Sequence, residues 1–139
     1  MKLTTKFRYG TRALYEIARK YGRKEPVKRK EIVENQQIPE SYLENILISL
    51  KNNGLISAIR GPNGGFVLLR DPTEITIMDV YLSFEGQLSL VDCLTNEDEC
   101  GRTGSCVARP VWERLQKAQA DVLNNTTMQS LLDSEPTNG

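Results

Sequence analysis

Apolar positions in the first half of the chain recur at helical spacing in three stretches, separated by turn signals. Over residues 4–21, Phe7, Leu14, Ile17, Ala18 and Tyr21 share one face. Thr4 or Thr5 suits the N-cap and Gly22 marks the end. Residues 28–36 predict a short second helix with Ile32 and Val33 inward, and Gln37-Ile38-Pro39 forms the turn that follows. The strongest pattern begins at Pro39. Leu43, Ile46, Leu47 and Leu50 fall at i, i+3, i+4 and i+7, which places them on one apolar stripe. Ser41, Asn45, Ile48 and Asn52 lie roughly opposite, with Tyr42 and Glu44 on the flanks. Pro39 suits a first helical turn, and Gly54 suits the left-handed position that ends a helix.

Two short apolar runs follow, Leu55–Ile59 and Phe66–Leu69, separated by Arg60-Gly61-Pro62-Asn63-Gly64-Gly65. So many glycines imply a sharp bend or a close backbone approach, and the pattern predicts a hairpin. A helix with a short polar outer face, then a hairpin with an arginine at its tip, is the layout of a winged helix-turn-helix. There the helix enters the major groove and the wing follows the backbone or the minor groove. An ordinary helix–hairpin packing unit would show the same pattern.

Beyond the hairpin, Asp71-Pro72 breaks the chain, and Thr76 with Asp79 forms a capping pair. They open a helix through Ile77, Val80, Tyr81 and Phe84 that Gly86 closes. Residues 87–106 read as an acidic loop. Residues 109–123 predict another helix, on which Val111, Leu115, Ala118 and Val122 form a heptad-like seam with Trp112 and Leu123 beside it. In so small a protein that seam points to a two-fold homodimer. Thr126-Thr127 caps a last short helix through Leu131-Leu132, and residues 134–139 are expected to fray. The fold class is therefore mainly α with a small β-hairpin. A winged helix-turn-helix domain spans residues 1–86, a cysteine-bearing loop 87–108, and a dimerisation helix with a short C-terminal helix 109–134.

The formal net charge of zero hides a split. Residues 1–70 carry 14 Lys/Arg against 6 Asp/Glu, and residues 71–139 carry 4 against 12. A cationic first half fits a polyanion partner, although attraction between the halves would produce the same asymmetry. The apolar share of 39% supports a modest core. No run has the length of a membrane span and the N-terminus lacks a signal-peptide pattern, so a cytoplasmic protein with no membrane partner is expected.

Lys28, Arg29 and Lys30 stand in a row where the second helix starts. Cations there oppose the helix dipole at a cost of about 0.3–1 kcal/mol each, which a bound phosphate would relieve. Lys6, Arg8 and Arg12, near the start of the first helix, are also placed for phosphates or form a plain solvated face. Thr4 joins Lys6 in the candidate DNA-binding set. On the third helix, Glu44 can accept from a cytosine amino group, Asn45 can pair with adenine, and Ser41 suits a base edge or a phosphate. Arg60 at the wing tip fits a narrow minor groove.

All three cysteines lie within 14 residues, spaced Cys93-x6-Cys100-x5-Cys106, and histidine is absent. Acidic neighbours Asp92, Glu97, Asp98 and Glu99 disfavour thiolates unless a metal supplies positive charge. The wide spacing favours an iron–sulfur cluster over zinc, whose sites usually show Cys-x2-Cys pairs. A zinc-stabilised interaction module and three unliganded thiols remain alternatives. An enzyme is disfavoured, because no histidine can serve a catalytic cysteine as base, and no small-molecule substrate is implied.

The segments MKLTTKFRYGTRAL and SYLENILISLKNNGLISAIRGPNGGF, the three cysteines, and the later VWERL and LNNTTMQSLL resemble the winged-helix regulators typified by IscR and NsrR. The resemblance covers nearly the whole chain. It implies a homodimeric transcription factor that senses an iron–sulfur cluster. With the helix–wing pair, the cationic half and the thiol triad, the expected function is a regulator, a repressor in the first instance, whose cluster state sets its affinity for a palindromic operator in double-stranded DNA. Ser41, Tyr42, Glu44 and Asn45 match the reading part of the recognition helix, Arg60 the wing arginine, and Cys93, Cys100 and Cys106 the cluster cysteines. Arg109 stands where IscR-type members carry a ligating histidine, and Arg8 where NsrR-type members carry an acidic residue. The fourth ligand is thus open, with Glu97, Asp98, Glu99 or an external group as candidates. VWERL and TTMQSLL lean towards the IscR side, hence towards a two-iron two-sulfur rather than a four-iron four-sulfur cluster.

Overall fold

The computed structural model describes residues 2–88 and 106–135. Helix α1 spans Thr5–Arg19, α2 Arg29–Gln36 and α3 Glu40–Asn52. Strands β1 (Ile56–Ile59) and β2 (Gly65–Leu68) pair antiparallel, a 3-10 turn covers Pro72–Glu74, and α4 spans Ile77–Glu85. Helices α5 (Arg109–Asn125) and α6 (Met128–Asp133) complete the chain. The predicted loop between α4 and α5 falls almost wholly on residues 89–105, outside the described residues.

The stripe on α3 works as its spacing implies. Leu43, Ile46, Leu47 and Leu50 are all buried, and each such side chain contributes about 1.5–3 kcal/mol of burial. They meet Leu14 and Ile17 of α1, Ile32 of α2 and Ile38 of the intervening turn in one core. Gly10 lets α1 approach α4 closely, because a Cβ there would stand 2.2 Å from the Phe84 ring. Phe7 meets Tyr81 edge to face, centroids 5.2 Å apart. Tyr21 departs from its expected place: α1 stops at Arg19, Gly22 takes a positive φ, and Tyr21 turns outward at 47% exposure.

In the hairpin Ile56 pairs with Leu68 and Ala58 with Phe66. Phe66 also exchanges both backbone hydrogen bonds with Val27, at 2.9 and 2.8 Å, so the segment entering α2 forms a third edge on the wing.

The C-terminal helices share the same core. Thr126 O accepts from Ile77 N at 2.8 Å, Ile75 O accepts from Met128 N at 2.8 Å, and Met128 is fully buried. Fraying does not begin at Ser134, since Glu135 pairs with Arg19 at 3.0 Å; residues 136–139 lie outside the described residues. On α5 only Leu123 is buried. Val111, Leu115 and Val122 of the seam are exposed, as is Trp112. No helix among the described residues is long and apolar enough to cross a membrane.

Candidate nucleic-acid interface

With its apolar stripe held in the core, α3 turns Ser41, Tyr42, Glu44 and Asn45 to solvent. Ser41 and Asn45 make no side-chain hydrogen bond among the described residues, which leaves their donors and acceptors available to base edges. Tyr42 is braced edge to face against Tyr9 of α1, centroids 5.7 Å apart, and Tyr9 in turn carries the Arg12 guanidinium 5.3 Å above its ring. Glu44 is engaged: its Oε2 lies 2.7 Å from Arg29 Nη2 at the start of α2.

The wing turns at Gly61-Pro62-Asn63-Gly64, where Gly64 N donates to Gly61 O at 2.9 Å. Pro62 and Asn63 suit the two central positions of a type I turn. Gly64 is required on steric grounds, since a Cβ would sit 2.1 Å from the Ile59 carbonyl oxygen. Arg60 stands just before this turn, exposed and without an ion-pair partner among the described residues. Two contacts link the wing to α2. Lys28 Nζ reaches Pro62 O at 3.5 Å, and the Arg29 guanidinium lies over the Phe66 ring at 5.9 Å. Through Arg29 the wing and the recognition helix meet.

Several cations differ from their expected setting. The start of α2 carries its own anion: Glu31 accepts from Lys28 N at 3.0 Å and pairs with Lys20 at 2.8 Å. The hydrogen bond from Lys20, then that from the Lys28 amide, holds the Glu31 carboxyl below its ordinary range. The relief expected from a bound phosphate is therefore partly supplied within the chain. Lys6 is exposed, and Lys30 is highly exposed with a long 3.9 Å contact to Glu34. Thr4 caps α1 by accepting from Phe7 N at 3.2 Å, and its hydroxyl donates to the Glu85 carboxylate. Arg12 donates to the Gln36 carbonyl at the end of α2, a cation where the dipole favours one.

Two residues beneath the interface have no counterpart in the sequence reading. Glu16 is fully buried in α1 and accepts from Arg19 at 2.7 Å, Asn35 at 3.1 Å and Gln36 at 2.9 Å. Burial pushes its carboxyl upward, but the bonds from Gln36, Asn35 and Arg19 outweigh that and hold it below its ordinary range. Gln37 adopts a left-handed conformation (φ 52°, ψ 45°) to end α2. The signal for Glu16 was an acidic residue between Ala13 and Ile17 on an otherwise apolar face; nothing in the sequence marked Gln37.

Of the three thiols, Cys106 lies just before α5, half-buried and free. Cys93 and Cys100, with Glu97, Asp98 and Glu99, lie outside the described residues. Arg109 pairs with Glu113 at 2.9 Å. Neither Arg109 nor Arg8 offers a lone pair to a metal, so neither can fill the ligand place that the resemblance implies for it. Among the described residues the thiol donor is Cys106 alone.

Comparison with known proteins agrees with this geometry. The sequence pattern of Rrf2, described as iron-dependent transcriptional regulator, matches residues 3–134. The HTH-type transcriptional regulator CymR of Bacillus subtilis is 37% identical over 131 residues, 94% of this chain and 89% of that protein. Its solved structure, that of the global cysteine regulator, superposes with a TM-score of 0.82 and covers 98% of this chain and 99% of that one. The HTH-type transcriptional regulator IscR of Serratia proteamaculans is 32% identical over 135 residues, 97% of this chain and 81% of that protein. The structure of T. potens IscR superposes with a TM-score of 0.79 at 31% identity, covering 100% and 92%. The fold is that of these winged-helix regulators, and the relatives are named as transcriptional regulators rather than enzymes. By its sequence pattern and its fold, the chain belongs to the Rrf2 family of transcriptional regulators.

Proposed function

We propose that this regulator represses transcription by binding a palindromic operator as a homodimer, with operator affinity set by an iron–sulfur cluster on Cys93, Cys100 and Cys106. The observation that carries the DNA-binding part is the outer face of α3. Ser41 and Asn45 are exposed and unpaired among the described residues, Glu44 lies beside them, and the wing with Arg60 is tied to the same surface through Arg29. Base edges in the major groove would be read by Ser41, Glu44 and Asn45, and phosphates held by Lys6, Lys28 and Lys30.

The exposed seam of α5 supports the homodimer. Val111, Leu115 and Val122 leave apolar surface uncovered, and a cleft of about 740 Å³ opens next to Val122, lined by Leu3, Phe7, Tyr9, Ile77 and Leu131. A second copy of α5 would cover the seam, and a two-fold axis there matches a palindromic site.

For the cluster, the support is the thiol triad and the free, half-buried Cys106 at the mouth of α5. Bound there, it would supply a charge and redox state that change on oxidation or loss. The chain's contribution would be to hold that group on its thiols and to pass its state through α5 to the spacing of the two recognition helices. The lean towards a two-iron two-sulfur cluster rests on the VWERL and TTMQSLL segments. Anaerobic purification with iron and sulfide quantitation, followed by operator titrations of holo and apo protein, tests this reading. Stoichiometric iron and sulfide with a holo–apo affinity difference supports it. Zinc at one per chain without sulfide would move the thiols to a structural role.

A further inference from the structure

We propose that Arg29 is a positioning residue for base recognition, fixing the Glu44 carboxylate as an acceptor for a cytosine amino group; this rests on the reading of α3 given above. The sequence presents Arg29 as one of three cations in a row, equivalent to Lys28 and Lys30. The structure separates it from them. Arg29 Nη2 lies 2.7 Å from Glu44 Oε2, and its guanidinium lies over the Phe66 ring of β2. Phe66 is itself fixed on both sides, by Ala58 across the hairpin and by Val27 two residues before Arg29. The guanidinium thus spans from an anchored aromatic ring to the one acidic side chain among the reading residues.

A lone carboxylate facing DNA has two defects. The phosphates repel it, and its free rotation must be lost when it bonds a base. Arg29 addresses both by neutralising the charge and holding one oxygen. Glu44 Oε1 makes no hydrogen bond among the described residues, and the side chain is 55% exposed. In the major groove cytosine N4 and adenine N6 are amino donors, but adenine sets its N7 acceptor beside that donor, while guanine O6 and thymine O4 are acceptors that a carboxylate rejects. A lysine could neutralise Glu44, but its ammonium lacks the planar fork that stacks on a ring and grips a carboxylate together. The pair itself is half-exposed on both sides and contributes little to folding, so its removal should act on recognition rather than on stability.

The test uses the full chain and a duplex library randomised over the operator length. Selection with wild type, Glu44→Ala, Arg29→Ala, Arg29→Lys and the double variant gives base preferences, and titrations over a salt series give slopes. The expected result is that Glu44→Ala and Arg29→Ala relax the same cytosine-bearing pair, each by about tenfold. The double variant should relax it no further, and Arg29→Lys should relax it part-way at an unchanged salt slope. If Arg29→Ala weakens all duplexes equally and makes the salt slope shallower by about one, Arg29 is a phosphate contact and the proposal is wrong. A relaxed pair in Glu44→Ala with none in Arg29→Ala also overturns it, while leaving base reading by Glu44 in place. Unchanged preference in Glu44→Ala would instead remove the base reading itself.

Discussion

Glu16 Oε1, wholly buried in α1, accepts a hydrogen bond at 2.9 Å from Nε2 of Gln36, the last residue of α2. The turn that launches the recognition helix begins at the next residue, so this carboxylate sets where α3 starts relative to α1. Arg12 holds the Gln36 carbonyl from the same helix. Removing the carboxylate takes away the acceptor shared by Gln36, Asn35 and Arg19, and Glu16→Ala should cost about 1.5–3 kcal/mol by urea titration. Glu16→Gln, which keeps the shape, should cost less but still more than Glu34→Gln on the exposed face.

The same group gives stability a definite pH dependence. In the folded chain the Glu16 carboxyl is held below its ordinary value of 4.5, because the bonds from Gln36, Asn35 and Arg19 outweigh burial. The unfolded state then binds more protons as the solution is acidified, and stability rises with pH across that window. Its contribution is complete above about 4.5 and is lost as pH falls through the lower folded value. The urea midpoint of wild type should therefore drop between pH 6 and pH 3, and that of Glu16→Gln should drop less. Equal slopes would show that Glu16 does not carry the effect.

Much of this architecture was legible in the sequence, and the parts that were not share a cause. The α3 stripe, the hairpin and the caps at Thr76 and Thr127 are local signals, set by residues a few positions apart. The roles of Arg12, Arg29 and Glu31 depend on which helix end or ring the fold brings alongside, and charge patterning cannot report that. Arg12 and Arg29 read as cations placed for phosphates and Glu31 carried no signal of its own; each is committed to a partner between elements or at a helix end. Tyr21 failed for a related reason. Its spacing fitted the α1 face, but the helix ended two residues too early to deliver it.

The wing turn offers a sharper test of shape. Gly64 cannot accept a side chain without moving backbone, since a Cβ would stand 2.1 Å from the Ile59 oxygen. Gly64→Ala should lower stability by about 1–3 kcal/mol and shift Arg60 away from its place beside the turn. Operator affinity should fall by more than that of Gly61→Ala, whose Cβ meets nothing within 4 Å but whose φ of +107° still adds strain. Helical circular dichroism should stay unchanged in both.

Arg60 itself is exposed and free of ion pairs among the described residues, so its replacement removes no contact that holds the fold. Arg60→Ala should weaken operator binding in a gel-shift titration while sedimentation shows the same assembly as wild type. Lys6→Ala and Lys30→Ala should weaken binding to all duplexes alike, each making the salt slope shallower by about one. Lys28→Ala is expected to do more, because Lys28 also contacts the wing at Pro62.

The α5 seam decides whether two reading heads act together. Leu115 is 47% exposed and Val122 64% in the single chain, with Ala118 between them on the same face. A stable partner contact needs about 800 Å² per copy, and this seam with the cleft beside Val122 offers exposed apolar surface for one. A charge at its centre would be buried without a partner, which a homodimer cannot tolerate. Leu115→Lys should therefore sediment as a monomer at micromolar concentration with its helical content intact. It should still bind a single half-site duplex weakly, but lose the gain in affinity expected of wild type for two half-sites related by the two-fold axis of a palindrome. A variant that stays dimeric would place the two-fold contact elsewhere, whereas a monomeric variant that keeps full affinity for the paired site would detach operator binding from dimerisation.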